Sequence, residues 1–216
     1  MPIRYILLAI TIVFLYFQVQ SYTSNENTFN RTLKIYKSAL LDKDYKTAID
    51  YLYPKLYNEQ TSKEQLYQKQ KKIFEKSTII DVQLTPELPM KTYSEGSYIV
   101  VKYSKTMTID MLPLGTNEAD KRARRMSLFF LKDSLNEGDT MKIDDNEQII
   151  HIEKHGTLIF INPHQSGWKY LDVEATPKRL FKKILPIDII DKEQVLILKQ
   201  NDTMFQEIFQ SKVKND

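Results

Sequence analysis

Apolar residues recur at helical spacing in two stripes near the start of the chain, separated by the polar stretch 42–44. The stripes are Phe29, Leu33, Tyr36 and Leu40, then Tyr45, Ala48, Ile49 and Leu52. This spacing predicts two helices, and Pro54 is expected to end or kink the second of them. Thr61 and Glu64 match a capping box, which predicts a third helix running to about Lys76.

From residue 77 onward the apolar period changes to two, which predicts strands. A long strand is expected between Ile99 and Met111, where Lys105 interrupts the apolar side and indicates a bulge or bend. Residues 140–173 are predicted to form an antiparallel meander with one turn at His155 and Gly156.

Two further helices are predicted among the strands. The first covers Glu118–Asn136, and the second begins at Thr176 and Pro177 and stops at Pro186. In the first, the expected inward face is Ala119, Ala123, Met126 and Phe130, and the opposite basic half is Lys121, Arg122, Arg124 and Arg125. Helices followed by antiparallel strands predict an α+β fold with N-terminal helices packed against a curved antiparallel sheet.

The N-terminal segment predicts the compartment. Arg4 is followed by the apolar run Tyr5–Phe17, and Val19 and Ser21 suit cleavage after residue 21. An uncleaved membrane anchor is the alternative, although a spanning helix needs about 20 apolar residues. We therefore divide the chain into a signal peptide or N-terminal membrane anchor (1–21), one α+β domain (22–190) and a C-terminal appendage (191–216). The chain is expected to be exported, either periplasmic or anchored to the inner membrane facing the periplasm.

Composition narrows the possible chemistry. Cysteine is absent, which excludes disulfides, thiolate nucleophiles and Cys-ligated metals. A net charge of +3 is too small to indicate a nucleic-acid-binding protein. The five glycines fall in no phosphate-binding pattern, and no cofactor is indicated.

A resemblance to a known fold family begins at residues 39–56, where an acidic break precedes a helix ending in Tyr-Leu-Tyr-Pro-Lys-Leu. This segment resembles uncharacterised exported proteins of Bacteroidetes-type bacteria with a nuclear-transport-factor-2-like (cystatin-like) α+β roll. Gly167-Trp168-Lys169 is similar to the ending of the last strand of such rolls. The resemblance covers roughly residues 29–190 and implies a fold and a compartment. It carries over no catalytic residue.

His151, Glu153 and His155 alternate along one predicted strand and therefore share a face. Such a set can ligate a metal or form a His–Glu acid–base pair. A solvated outer face beside a turn explains the same pattern, and we favour that interpretation. No metal site and no catalytic residue is therefore predicted.

Tyrosines crowd the first helices, and Tyr36, Tyr51 and Tyr53 are the candidate residues of a ligand pocket. Packing in the core is the alternative role for these rings. The basic residues Lys121, Arg122, Arg124 and Arg125 fit a solvated helix face, which is the interpretation we favour. Binding of phosphate or of an anionic membrane surface is the alternative.

These observations favour a non-catalytic module that binds a small apolar ligand or an envelope protein. One alternative is an isomerase or cyclase-type enzyme acting inside the cone of the roll, and another is a structural assembly partner of an envelope complex. Nucleic acid is not an expected partner. Membrane association through the N-terminal segment and homodimer formation are both compatible with the sequence.

Overall fold

The computed structural model describes residues 24–60, 62–75, 77–111, 118–144, 148–164 and 166–193. The predicted signal peptide or anchor at 1–21 lies outside these ranges, as does the appendage from residue 194 onward. Within the described residues, no helix combines the length and the apolar character that a membrane crossing requires.

Four helices come first: α1 at residues 24–41, α2 at Tyr45–Asp50, α3 at Pro54–Gln60 and α4 at Lys63–Phe74. The predicted break between the first two is confirmed, because the Asp44 carboxylate caps α2 by accepting a hydrogen bond from the Thr47 amide at 3.1 Å. Pro54 begins α3, where its missing N–H costs no helical hydrogen bond. The capping box of α4 uses Ser62 and Gln65, one residue beyond the predicted pair.

Six strands form one antiparallel sheet in which β1, β3, β5 and β4 are neighbours in that order, while β2 pairs with β3 and β6 with β5. The strands are β1 Ser77–Pro86, β2 Lys91–Tyr93, β3 Gly96–Asp110, β4 Thr140–Ile143, β5 Ile149–Pro163 and β6 Lys169–Asp172. The α+β class predicted from the sequence is confirmed.

The turn predicted at His155 and Gly156 is wrong. β5 continues through both residues and pairs with β3 along its whole length, from Gly96 opposite Pro163 to Asp110 opposite Ile149. The glycine serves packing instead, because a Cβ on Gly156 would lie 2.5 Å from the ring of Tyr103.

The irregularity expected at Lys105 lies in the neighbouring strand. The register shifts in β1 between Ile79 and Asp81, and β3 stays in register with β5. The extra residue explains why Ile80, which is 56% exposed, and Asp81 are both exposed between the buried Ile79 and Val82.

Each face of the sheet carries helices. On one side, here called the α1 face, the rings of Phe29 and Tyr36 in α1 pack against Phe160 of β5. On the other side, the α6 face, Tyr98, Val100 and Ile159 are covered by α6 (Lys178–Ile184) and α7 (Ile187–Lys192). The domain boundary predicted at residue 190 falls inside α7.

Helix α5 spans Glu118–Asp133, but its predicted inward face is wrong. Leu128, Leu131 and the following Leu135 pack against an apolar cluster on the α1 face that contains Met107 and Ile152. Met126 is instead 49% exposed, and Ala123 is exposed as well. The α6 helix also differs at its start, because Pro177 occupies the N-cap position with no side-chain cap.

Candidate functional site

The outer edge of β5 has a gap between its two short neighbours. β4 pairs with residues 150–153 and β6 with residues 158–161, so among the described residues no strand pairs with 154–157 on that edge. Two carboxylates replace the missing strand. The His155 amide donates to Asp139 Oδ1 at 2.8 Å, and the Thr157 amide donates to Glu174 Oε2 at 2.8 Å.

Polar side chains gather beside this gap on the α1 face. Tyr103 lies opposite Gly156, and Lys105 opposite Lys154, in the register of β3 and β5. Hydroxyl and carboxyl groups from α1, from the segment before β4 and from the end of β6 complete the group. We call it the central polar cluster; it comprises Tyr36, Tyr103, Lys105, Asp139, Lys154, Tyr170, Asp172 and Glu174.

Apolar side chains flank this cluster on both sides along the sheet. Towards one end lie Val101, Leu158 and Phe160, all buried, and towards the other lie Met107 and Ile152. Lys105, Lys154 and Asp172 are each only half-buried. The central polar cluster is therefore a partly accessible polar site within an otherwise apolar face.

Hydrogen bonds connect the members of the cluster. The Tyr36 hydroxyl bonds to that of Tyr170, and the Tyr103 hydroxyl donates to the Asp172 carboxylate. Burial raises the pKa of Tyr36 and Tyr103 well above the ordinary phenol value, and the negative charge of Asp172 adds to the effect. These phenols therefore remain protonated hydrogen-bond donors at neutral pH.

Glu174 is the member whose protonation changes near neutral pH. Burial raises its pKa to about 7, and the charge of Asp172 adds to the rise. The two carboxyl groups are hydrogen-bonded to each other, so the protonated form of Glu174 shares its proton with Asp172. Glu174 can thus accept or release a proton close to pH 7, next to the carboxyl group of Asp172.

Lys105 supplies positive charge beside these carboxyl groups. Its Nζ lies 5.1 Å from the centroid of the Tyr103 ring. Burial lowers its pKa, an effect opposed by the negative charge of Asp172. The second cation, Lys154, donates from Nζ to the Ser134 carbonyl at 3.3 Å. The cluster therefore combines cationic donors, phenol donors and carboxylate acceptors.

The three tyrosines predicted to form a pocket are not brought together. Tyr36 belongs to the central polar cluster. Tyr51 packs against the same apolar cluster as Tyr36, and the ammonium of Lys169 lies 5.5 Å from its ring centroid. Tyr53 lies in the apolar cluster of the α6 face, with Leu180 among its neighbours. A pocket at these residues stays a prediction.

Lys105, Asp172 and Glu174 were missed as site residues. The sequence signal is the charge of Lys105 within an apolar stripe, a pattern that also fits a bend in the strand. Lys154 gives the same signal between Ile152 and Leu158 in β5. Two charged residues opposite one another on neighbouring strands indicate a polar site. The pairing of Lys105 with Lys154 does not follow from the sequence, because the predicted turn at His155 and Gly156 splits β5 into two strands.

His151, Glu153 and His155 lie on the exposed part of the α6 face. His155 Nε2 is 3.5 Å from Glu153 Oε1, a contact that is an ion pair only when the imidazole is protonated. Across the described ranges, no group of three or more histidine, aspartate or glutamate side chains has an arrangement that could hold a metal ion.

In comparisons with known proteins, no protein-family model, curated protein or solved structure matches the chain. Function is therefore inferred from the chemistry of the described residues and from their arrangement. The central polar cluster is the main candidate for a functional site, since it brings together side chains from distant parts of the chain.

Proposed function

We propose that this chain is a small-ligand-binding module of the cell envelope, with the central polar cluster as its binding site. The observation that supports this binding site is the half-buried group of Lys105, Tyr103 and Asp172 within an apolar sheet face. Ligand sites characteristically combine an apolar lining with a few polar groups that orient the ligand. The envelope assignment rests on the predicted signal peptide or anchor at residues 1–21.

The proposed fold is a nuclear-transport-factor-2-like roll. Helices α1 and α5 pack on one face of an antiparallel sheet, an arrangement that agrees with such a roll. The resemblance at residues 39–56 supports the same assignment. In this proposal the polar cluster lies inside the roll, between helix α1 and the sheet.

The ligand class follows from the donors and acceptors. Lys105 offers hydrogen-bond donors to a carbonyl, carboxylate or hydroxyl oxygen. Tyr103 already donates its hydroxyl hydrogen to Asp172, so the Tyr103 oxygen and the Asp172 carboxylate are the acceptors. The apolar residues on either side suit a hydrocarbon body. We therefore propose a mostly apolar molecule carrying one oxygen-containing polar group.

The test is native mass spectrometry of the full-length chain, purified gently from the envelope fraction. Lys105→Met is compared with Lys102→Met, since both lysines are half-buried on β3 but Lys102 lies on the α6 face and bonds to Thr157. We expect a bound small molecule in the wild type and the Lys102 variant, and its loss in the Lys105 variant. An adduct kept by both variants would place the ligand elsewhere, and a wild type without adduct would contradict the proposal.

A second candidate is an enzyme that transfers a proton, as the isomerases and cyclases of such rolls do. The favouring observation is the Asp172–Glu174 carboxyl pair, because a group with a pKa near 7 suits general acid–base catalysis. Glu174→Gln separates the two candidates. If the chain is a binding module, the wild type and the variant hold the same, chemically unchanged ligand. If it is an enzyme, the wild type converts the bound molecule to product, whereas the variant accumulates that molecule unconverted.

A further inference from the structure

The outward face of α5 combines exposed apolar and basic side chains. Phe129 is 66% exposed and Met126 is 49% exposed, although both are large apolar residues. The exposed side chains of Arg122, Arg125 and Lys132 share this face with them at helical spacing. The inward leucines fix this orientation, because they hold the other side of the helix against the sheet.

The charges of α5 are segregated along the helix. Residues 121–132 contain five basic side chains and no acidic one. The acidic residues are Glu118, Asp120 and Asp133, at the two ends. Glu118 is neutralised locally, since its Oε1 lies 3.0 Å from Lys121 Nζ. The middle of the outward face is therefore positively charged around two apolar side chains.

We propose that this face of α5, consisting of Arg122, Arg125, Met126, Phe129 and Lys132, docks onto the surface of an anionic lipid bilayer. Phe129 and Met126 enter the boundary between headgroups and acyl chains. The long arginine and lysine side chains lie along the surface, with their charged groups on lipid phosphates. A bilayer surface offers both complements at once, since its anionic phosphates match the basic side chains and its acyl boundary accepts the two apolar ones.

This contact lies far from residue 24, the first described residue of α1. Leu40 and Leu41, at the end of α1, pack against the same apolar cluster as the leucines of α5. Residue 24 is at the opposite end of α1, about 25 Å away at 1.5 Å per residue. Where the N-terminal segment is kept as an anchor, a bilayer contact at α5 is a second point of attachment that orients the domain. Where the segment is cleaved, α5 is the contact that holds the domain at the membrane.

The absence of cysteine makes a site-specific reporter possible in the full-length chain. A single cysteine at Met126→Cys carries an environment-sensitive fluorophore, and Thr92→Cys on the exposed side of β2 is the reference position. Each labelled protein is incorporated into phosphatidylcholine vesicles and into mixed phosphatidylcholine–phosphatidylglycerol vesicles containing nitroxide lipids. Local quenching then reports contact by α5 even when the N-terminal segment binds both kinds of vesicle.

In the anionic vesicles we expect quenching at position 126 to exceed that at position 92 by about twofold or more, and high salt to reduce the difference. The double reversal Arg122→Glu/Arg125→Glu removes the excess. The matched control, Lys182→Glu/Lys183→Glu, changes the net charge equally on exposed residues of α6 and leaves the excess unchanged. Phe129→Ser reduces it, because the inserting ring is lost.

Three results would overturn the proposal. Equal quenching at positions 126 and 92 would show that α5 stays off the bilayer. Equal quenching at 126 in both lipid mixtures would exclude recognition of anionic lipid. A response of the label to polyglutamate but not to anionic vesicles would assign the surface to an acidic protein partner instead.

Discussion

Tyr103 lies across Gly156 on the neighbouring strand, and this contact determines how the ring enters the central polar cluster. A methyl group at position 156 would sit 2.5 Å from the Tyr103 ring atoms, closer than side chains pack. Gly156→Ala should therefore displace the ring and destabilise the fold by about 1–3 kcal/mol, the usual cost of overpacking. Urea denaturation of the variant and of the wild type measures this difference.

The control is a double-mutant cycle with Tyr103→Ala. Removing the ring leaves room for the methyl group, so Gly156→Ala should cost much less in the Tyr103→Ala background. Additive costs would mean that the alanine acts through the backbone of β5 and not through the ring.

Glu174 predicts a pH dependence of stability with a definite sign. Its pKa rises from 4.5 to about 7 on folding, so between these values the folded chain holds a proton that the unfolded chain has released. The stability contributed by Glu174 is therefore largest below pH 4.5 and falls as the pH rises through the folded pKa. Thermal unfolding across this interval measures the dependence.

Glu174→Gln imitates the protonated side chain and should remove this dependence. At pH values above 7 the variant is expected to unfold at a higher temperature than the wild type, with the difference disappearing at low pH. Glu75→Gln, an exposed residue just after α4, is the control and should follow the wild type. A wild-type stability that rises relative to Glu174→Gln as the pH increases would contradict the assigned direction.

A buried carboxylate directly after α7 helps to join this helix to the sheet. Glu193 is 6% exposed, and its Oε1 accepts hydrogen bonds from the Tyr98 hydroxyl at 2.9 Å and from Lys91 Nζ at 2.6 Å. Burial, together with the Glu193 carboxylate, raises the pKa of Tyr98, which therefore remains a donor. The carboxylate thus links residues that are far apart in the chain.

Lys91→Met should destabilise the fold by about 1–3 kcal/mol, because it leaves a buried carboxylate with one partner fewer. The figure lies below that of a fully buried ion pair because Lys91 is itself 39% exposed. Guanidinium denaturation measures the loss. Adding Glu193→Gln should recover part of the lost stability, since the uncompensated charge is then removed. A double variant that loses more stability than the two single variants together would exclude this account.

Element types were more predictable from the sequence than the orientation of each element. The break at Asp44 was predictable because a capping carboxylate acts locally, within three residues. The orientation of α5 was not, since Leu128 lies among basic residues in the sequence and only the sheet decides which side is buried. The predicted turn within β5 is wrong because a glycine that admits the ring of Tyr103 looks in the sequence like a glycine in a turn.

The residues of the candidate site were also hard to predict, because they come together only in the folded chain. Tyr36 was predictable as an inward-facing ring, but its partners Tyr170 and Asp172 are more than a hundred residues away in the chain. The carboxylates of Asp139 and Glu174 occupy a gap left by two short strands, and such a gap depends on where β4 and β6 end. Strand ends are set by pairing, which one sequence does not specify.

The α1 face and the α6 face belong to the same central strands of the sheet. Ile99 faces one apolar cluster and Val100 the other, although they are adjacent residues of β3. Loosening either face should therefore expose both. The chain is expected to unfold in one cooperative transition, as single domains of this size usually do.

Trp168, the only tryptophan, reports on this cooperativity from the α1 face. It is 2% exposed, and its ring centroid lies 5.2 Å from that of Phe29 in α1. Phe29→Ala should lower the free energy of unfolding by about 3–5 kcal/mol, the cost of removing a buried aromatic ring. Denaturation is followed by tryptophan fluorescence and by far-ultraviolet circular dichroism, and both curves should shift together because α1 packs on strands that also carry the α6 face.

Phe129→Ala is the matched control, since the same side chain at an exposed position should change stability by no more than about 0.5 kcal/mol. If fluorescence changed first and most of the dichroism were lost in a later transition, α1 would be a separately unfolding layer, and the central polar cluster would open whenever that layer detached.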